Sequence, residues 1–268
     1  MSARPARPWR PSPLLGVSAG IHLGGAVALA LAPARWPFVA GTLFADHILL
    51  LAAGLAPRSR LLGPNVSRLS SEATQRGEVG LTFDDGPDPD ATPRVLDLLD
   101  THGALATFFC IGRRVEAASE IVTEIARRGH RVENHSHRHR SSFFFHAGST
   151  LRREIRNAQE SIEKATGRRP RLFRAPAGIR SPLLDPVLAR EGLTLVSWTR
   201  RGFDTRSSDS AWILSRLTSG LTAGDVLLLH DGNCAIDRAT RSPMVLEVLP
   251  RLLDALAARS LRAVPLEA

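Results

Sequence analysis

The 268-residue chain contains no tyrosine and a single lysine, Lys164. No phenol is available to its chemistry, and its net charge of +9 is carried almost wholly by arginine. Such a surplus favours anionic partners: membrane headgroups, phosphorylated lipids or acidic glycans. The arginines are scattered rather than massed, and no nucleic-acid-binding motif accompanies them, which argues against a nucleic-acid partner. Cysteine is scarce too. Cys110 and Cys234 stand far apart, with no CxxC pair and no zinc-finger spacing. They neither require nor exclude an oxidising compartment, and both read as packing residues, with a disulfide between them as the alternative. Nothing in the composition calls for an obligate protein partner.

What is present begins with two long apolar runs. Residues 13–32 hold one ionisable group, His22, and residues 37–55 hold Asp46 and His47. Each run is long enough to cross a bilayer core as a helix. Trp9 and Trp36 precede them at the places interface aromatics occupy, and Pro33 and Pro37 punctuate the short connection. The pair reads as a membrane-anchoring helical hairpin over residues 1–57. An aspartate at mid-bilayer costs about 2.5–3.5 kcal/mol, so a contact between His22 and Asp46 or His47, at similar depth in an antiparallel hairpin, is expected. A cleavable signal peptide is the competing reading of the first run, since Ala30-Leu31-Ala32 resembles a cleavage site. The length of the run and the second run behind it favour a retained inner-membrane anchor. Arg4, Arg7 and Arg10 before the hairpin and Arg58, Arg60 and Arg68 after it, with Arg35 alone between, place both ends and the following domain in the cytoplasm.

Residues 58–77 are polar and irregular and read as a linker. From residue 78 to 268 the pattern alternates. Strand-like runs fall at 80–83, 107–111, 131–134, 172–174, 193–198, 226–230 and 261–265. Helix-like segments lie near 93–101, 117–128, 151–166, 183–191, 210–219 and 243–259. In the segment 151–166, Glu154, Arg156, Glu160 and Glu163 read as a solvated face. Repeated strand–helix units imply a parallel α/β sheet, and this number favours a closed barrel, with its chemistry at the carboxyl ends of the strands.

The unusual residues fall there. The first strand ends in LTFDDGP, residues 81–87. Strand side chains alternate faces, so Asp84 and Asp85 share one site only if the backbone bends, and Gly86 is the candidate for the bend. Adjacent carboxylates call for a cation or an arginine. The third strand runs into Asn134-His135-Ser136-His137-Arg138-His139. His135 and His139 converge if this is a helical turn, and His135 and His137 do so if the strand continues. With a strand-end carboxylate they make a three-ligand metal site with room for water. His137 and His146 read as bystanders. Next comes Phe173-Arg174-Ala175-Pro176-Ala177-Gly178: an arginine able to orient a carboxylate, then a turn able to present backbone N–H groups to an oxyanion. Trp198 ends one strand with Asp204 six residues on, and Leu229-His230-Asp231-Gly232 ends another. A mouth histidine backed by an aspartate is a general-acid arrangement.

At these residues the chain resembles the polysaccharide deacetylase (NodB-homology, family 4 carbohydrate esterase) group. The motifs TFDDGP, HSxxH, RxPxG and LxxH occur in family order from about residue 78 onwards. The resemblance implies a distorted (β/α) barrel that hydrolyses N-acetyl groups on amino sugars of a glycan or glycolipid with one divalent metal ion, commonly zinc. It further implies Asp84 as general base, with Asp85, His135 and His139 as metal ligands. Arg174 would tether Asp84, His230 would be the general acid oriented by Asp204, and the turn at Ala177 and Gly178 would contact the substrate. Three positions depart from the pattern. Ala177 stands where a tyrosine is frequent, Thr205 where a tryptophan is, and Arg201 where an acidic residue is. Phe143, Phe144 and Phe145 either line the sugar pocket or belong to the core. A formyl-removing enzyme acting on a lipid-linked aminosugar and a silent glycan-binding protein are the competing functional readings.

Overall fold

The computed structural model describes residues 8–237 and 240–267; Arg4 and Arg7, used above for orientation, lie outside them. Two helices open the chain, α1 (Pro13–Leu31) and α2 (Trp36–Leu55), joined by a 3₁₀ turn at Pro33–Arg35. Ser12 caps α1 by accepting the Leu15 N–H at 3.3 Å, and Pro13 takes the first-turn position where its missing N–H costs nothing. Both are long and apolar enough to cross a membrane, with mean hydropathies of 1.9 for Pro13–Leu31 and 1.8 for Pro33–Leu55. Asp46 is buried between them and accepts the Ser18 hydroxyl at 2.7 Å. His22 Nδ1 lies 3.8 Å from the same carboxylate.

The remainder is a curled parallel sheet wrapped by helices. Its strands are β1 (Glu78–Asp84), β2 (Thr107–Cys110), β3 (Arg131–Asn134), β4 (Leu172–Phe173), β5 (Thr194–Leu195), β6 (Arg200–Arg201), β7 (Val226–His230) and β8 (Arg262–Val264). The short α3 (Ser71–Gln75) precedes β1, and between the strands run α4 (Ala91–Thr101), α5 (Gly112–Ala117), α6 (Ser119–Arg127), α7 (Gly148–Thr166), α8 (Leu184–Arg190), α9 (Ser210–Thr218) and α10 (Met244–Ala257). The order is β5-β4-β3-β2-β1-β7-β6, with β8 added beside β1. Its two edge strands, β5 and β6, are four residues apart on one piece of chain. The ring is therefore joined through the backbone rather than by hydrogen bonds between its edges, which gives the distorted barrel rather than a regular closed one.

Alternation sorts the side chains. Leu81 and Phe83 of β1, Phe108 of β2 and Leu227 and Leu229 of β7 face the helices, in one core with α4, α9 and α10. The intervening residues face into the curl, where Phe109, Leu172, Val196, Trp198, Val226 and Leu228 pack together.

Residues 58–77, expected as a linker, are woven into the domain. The Val66 N–H donates to Leu195 O at 2.9 Å, Val66 O accepts from the Ser197 N–H at 2.8 Å, and the Leu69 N–H reaches Gly224 O at 2.9 Å. Val66 and Leu69 pack on the inner core, so this stretch fills the split between β5 and β6. The hairpin also touches the domain. Trp9 Nε1 donates to Asp185 at 3.0 Å, the Arg180 N–H donates to Gly54 O at 3.1 Å, and Gly54 packs on Phe144. Glu154, expected in solvent, is buried, and its carboxylate accepts the Arg138 N–H at 3.0 Å. Cys110 and Cys234 are free thiols packed in or against the outer core.

Candidate active site

Register brings the functional side chains together. Asp84 of β1 pairs laterally with His230 of β7 and with Phe109 of β2, and residues opposite each other in adjacent parallel strands point to the same face. Asp84 and His230 therefore both face into the curl at its carboxyl end. The Arg174 N–H donates to Asn134 O at 3.0 Å, which sets Arg174 level with His135, the residue following Asn134.

Asp85 would project outward if the strand continued. Instead its own backbone takes φ 71°, so the bend falls on Asp85 rather than on Gly86. Gly86 is required for a different reason: a Cβ there would strike the carboxylate of Asp231. His135 and His139 likewise do not share a helical turn. Ser136 (φ 64°) and His139 (φ 49°) are both left-handed, and the loop between them folds the second imidazole back onto the first, ring centroids 4.7 Å apart. His137 leaves this group and lies over Gly112, 3.9 Å from Glu116. Phe143 belongs to the core, and Phe145 is exposed.

The result is compact. Asp85 Oδ1 lies 3.3 Å from His135 Nε2 and 3.2 Å from His139 Nε2. Asp84 Oδ1 accepts from the Arg174 guanidinium at 2.6 Å, while its Oδ2 stands 3.7 Å from His135 Nε2. Arg174 is completely buried. It also donates to the Thr82 hydroxyl at 2.8 Å and to Ser197 O at 3.3 Å, and lies 4.1 Å over the Phe109 ring. Opposite, Asp204 grips His230 twice: Oδ2 accepts the backbone N–H at 2.7 Å and Oδ1 faces Nδ1 at 2.9 Å. That bond holds the proton on Nδ1 and leaves Nε2 for the site. Burial works against a charged His230, but Asp204 outweighs it and raises the pKa above the ordinary imidazole value. Asp231, next in sequence, faces away from His230. It accepts the Thr92 hydroxyl at 2.6 Å, and burial pushes it up to about 7.

The donor set fits a divalent cation. Asp85 Oδ1 is buried without a hydrogen bond of acceptable geometry, although two imidazole nitrogens stand beside it. Burial presses Asp85 towards protonation, but His135 and His139 prevail and hold it well below the carboxylate range. His135 Nδ1 donates to Arg174 O at 2.8 Å, which directs its Nε2 at Asp85. Burial together with His135 pushes His139 down to about 4, so its lone pair is available at neutral pH. Although burial disfavours a charged His135, Asp84 and Asp85 raise its pKa, and a cation held here would displace that proton. The three ligand atoms lie within 4.8 Å of one another.

Residues 71–196 match the family model described as polysaccharide deacetylase. A peptidoglycan-N-acetylglucosamine deacetylase of Bacillus cereus is 33% identical over 179 residues, spanning 65% of this chain and 81% of that protein. The chain belongs to the polysaccharide deacetylase family. It is thus a hydrolase of the N-deacetylase type. A chitooligosaccharide deacetylase of Azorhizobium caulinodans is 35% identical over 165 residues, covering 61% of this chain and 78% of the relative. Among solved structures, a family 4 carbohydrate esterase from Streptomyces lividans, in complex with acetate, aligns with a TM-score of 0.63 at 32% identity, covering 70% of this chain and 91% of that one.

Several supports of this candidate site carry no sequence signal. Asn233 Nδ2 donates to Asp85 Oδ2 at 3.0 Å, and Arg114 donates to both Asp85 O and Asn233 Oδ1 at 2.7 Å. Glu154 fixes the histidine loop through Arg138. At the turn, Gly178 has spent its N–H on Ala175 O at 2.8 Å. A Cβ at Gly178 would meet the Trp198 ring, and its φ of 73° is left-handed, so both space and backbone call for glycine here. The Ala177 N–H (φ 55°) makes no hydrogen bond among the described residues. A surface hollow of ≈ 710 Å³ lies at the far end of the sheet around residues 129–133 and 168–171, away from all of these groups.

Proposed function

We propose that the chain is a membrane-anchored, zinc-dependent deacetylase that removes N-acetyl groups from amino sugars of a glycan or lipid-linked saccharide. The observation that carries this reading is the placement of Asp84, His230 and the Asp85–His135–His139 cluster on one inner face, with Asp84, Asp85, His135 and His230 each held by a partner outside the reacting centre. Asp85, His135 and His139 would hold a divalent ion, which would supply Lewis-acid polarisation of the amide carbonyl and a more acidic water. Arg174 occupies Asp84 Oδ1, so Oδ2 is the atom left to take the proton of the attacking water. The Ala177 N–H donates to the oxygen as it gains charge. His230, with Nδ1 committed to Asp204, delivers the Nε2 proton to the departing nitrogen as the C–N bond breaks, without which the amine is too poor a leaving group. Acetate and a free amine result. Asp84 and His230 then exchange their protons with solvent.

Residues 1–57 form the anchor in this reading, and 58–77 serve the catalytic domain of residues 78–268 as a barrel-closing segment. The contacts of Trp9, Gly54 and Phe144 support a retained hairpin over a cleaved signal, because α2 ends against the loop that follows the histidines and against Arg180, two residues past the Ala177–Gly178 turn. Both walls of the site then stand near the membrane surface. Together with the arginine count, this favours a saccharide attached to lipid on the cytoplasmic face. The test is to incubate the full chain with N-acetylated lipid-linked and soluble sugars and identify the acid set free. Acetate release that stops on chelation and returns with zinc supports the reading. Formate in place of acetate makes the chain a deformylase, and no acid from any substrate leaves a glycan-binding member of the family.

A further inference from the structure

Arg201 is the charged group in the site that the reaction above does not use. Opposite Leu228 in register, it faces into the curl with Thr82 and Arg174. Its guanidinium lies 5.5 Å from the Trp198 ring centroid and 5.0 Å from that of Phe203. Trp198 is the ring that packs on Gly178 and lies 5.7 Å from Arg174. Arg201 Nε is buried with no acceptor, and the guanidinium has no carboxylate within salt-bridge range among the described residues. Its field reaches Asp84, Asp204 and Asp85. All three are already engaged, Asp84 by Arg174 at 2.6 Å, Asp204 by His230 at 2.9 Å and Asp85 by His135 and His139 at 3.3 and 3.2 Å, so Arg201 has no carboxylate partner of its own among the described residues. Aromatic rings cover a planar cation's faces and leave its N–H edge free, which is the geometry of oxyanion recognition.

We propose that Arg201 selects substrates bearing an oxyanion, a phosphate or a carboxylate, on or beside the N-acylated sugar. The proposal rests on the deacetylase reading and names the substrate class within it. Sequence already hinted at the inversion, since Arg201 stands where the family pattern carries an acid. A neutral glycan would leave a half-buried cation without a partner, so the site discriminates against it as well as in favour of a charged one.

The test uses the zinc-loaded full chain in detergent and three otherwise matched N-acetylated sugars: neutral, phosphate-bearing and carboxylate-bearing. Calorimetry measures binding and acid release measures turnover. The wild type is expected to bind at least one charged sugar on the order of tenfold more tightly than the neutral one. Arg201→Gln is expected to bring that ratio close to one, through KM rather than kcat, and Arg201→Lys to keep part of it. The preferred charged sugar identifies which oxyanion is read. Equal binding of all three by the wild type, or a loss in Arg201→Gln that is the same for all three, overturns the proposal. An Arg201-dependent preference in binding with no acid released would instead count against the deacetylase reading alone.

Discussion

The buried pair of Arg174 and Asp84 gives the sharpest test of how the site is held. Replacing Arg174 with methionine keeps much of the volume above Phe109 but removes the donors to Asp84, Thr82 and Ser197. Asp84 is only 3% exposed, so its carboxylate cannot recover the lost partner from bulk water. Removing one member of a buried pair costs about 3–5 kcal/mol, because an uncompensated charge stays behind. For a domain of this size, with roughly 2–4 °C per kcal/mol, Arg174→Met is expected to lower the melting temperature by about 6–20 °C. Much of that loss belongs to the stranded carboxylate. Adding Asp84→Asn should therefore restore part of the stability, with a coupling of about 0.5–3 kcal/mol in a double-mutant cycle. Thermal melts of the four proteins in detergent, under one set of zinc conditions, supply the numbers. Strictly additive effects, or a loss under 1 kcal/mol in Arg174→Met, would refute the argument that this arginine exists to hold Asp84.

The remaining predictions concern the division of labour and the charge balance. Asp84→Asn should lower kcat by about 10²–10⁴-fold yet still bind one zinc per chain, whereas His139→Ala should lose zinc; equal zinc loss in both would overturn the assigned roles. Asp204→Asn removes the partner that raises the His230 pKa. The alkaline limb of the pH–rate profile should then move to lower pH, with kcat down by about 10²–10⁴-fold; an unmoved limb would assign the acid elsewhere. Burial holds the His130 pKa at about 4, so the folded state binds fewer protons there than the unfolded one, and stability should fall as pH drops from about 6.5 to 4. The full effect is on the order of 3 kcal/mol, read as the difference between wild-type and His130→Gln melts, since Glu133, raised to about 7 by burial, acts in the opposite direction. In the hairpin, Asp46→Leu should weaken helix association by roughly 0.6–2 kcal/mol through loss of the Ser18 hydrogen bond; unchanged or improved membrane extraction would show the contact to be dispensable.

The parts of this molecule legible from sequence are those with a local cause. Apolar runs that stop at polar residues mark β1, β2 and β7, because a strand buried on the sheet must be apolar until it reaches the mouth, whereas β3, with Val132 as its one apolar residue, is marked by the histidine-rich stretch that follows it. Thus Asp84, His135, Arg174 and His230 could be placed at strand ends before any fold was known. β6 was invisible for the opposite reason. It is two arginines, Arg200 and Arg201, with no apolar pattern, and it pairs with β7 only because the chain leaving β5 must cross the open side of the curl. Residues 58–77 look like a linker by composition, and their role depends on a gap that only the folded sheet creates. Glu154 obeys the helical period of a solvent face, yet the histidine loop folds over it and makes it an acceptor. Asn233 and Arg114 have no motif at all, since holding a carboxylate from a neighbouring loop requires no fixed spacing.

Backbone conformation supplies the last link between these residues and their chemistry. Apart from glycines, eight described residues have positive φ, among them Asp85, Ser136, His139, Ala177, Phe203 and Asn233. All six lie in the loops after β1, β3, β4, β6 and β7, at the mouth. Such conformations cost on the order of 1–3 kcal/mol each where the side chain is not glycine, so their concentration at one end of the barrel requires a reason. Strand geometry provides it. Consecutive side chains on a strand diverge, and a site that needs Asp84 and Asp85 on one face, or His135 and His139 around one point, can be built only by reversing the backbone between them. A glycine would make the turn at Asp85 more easily but would delete the carboxylate. Packing of the strands behind the mouth, with Leu81, Phe83, Leu227 and Leu229 wholly buried, offsets the strain and keeps the reversed residues from relaxing. The barrel's apolar core is in this sense what allows its mouth to be polar and convergent.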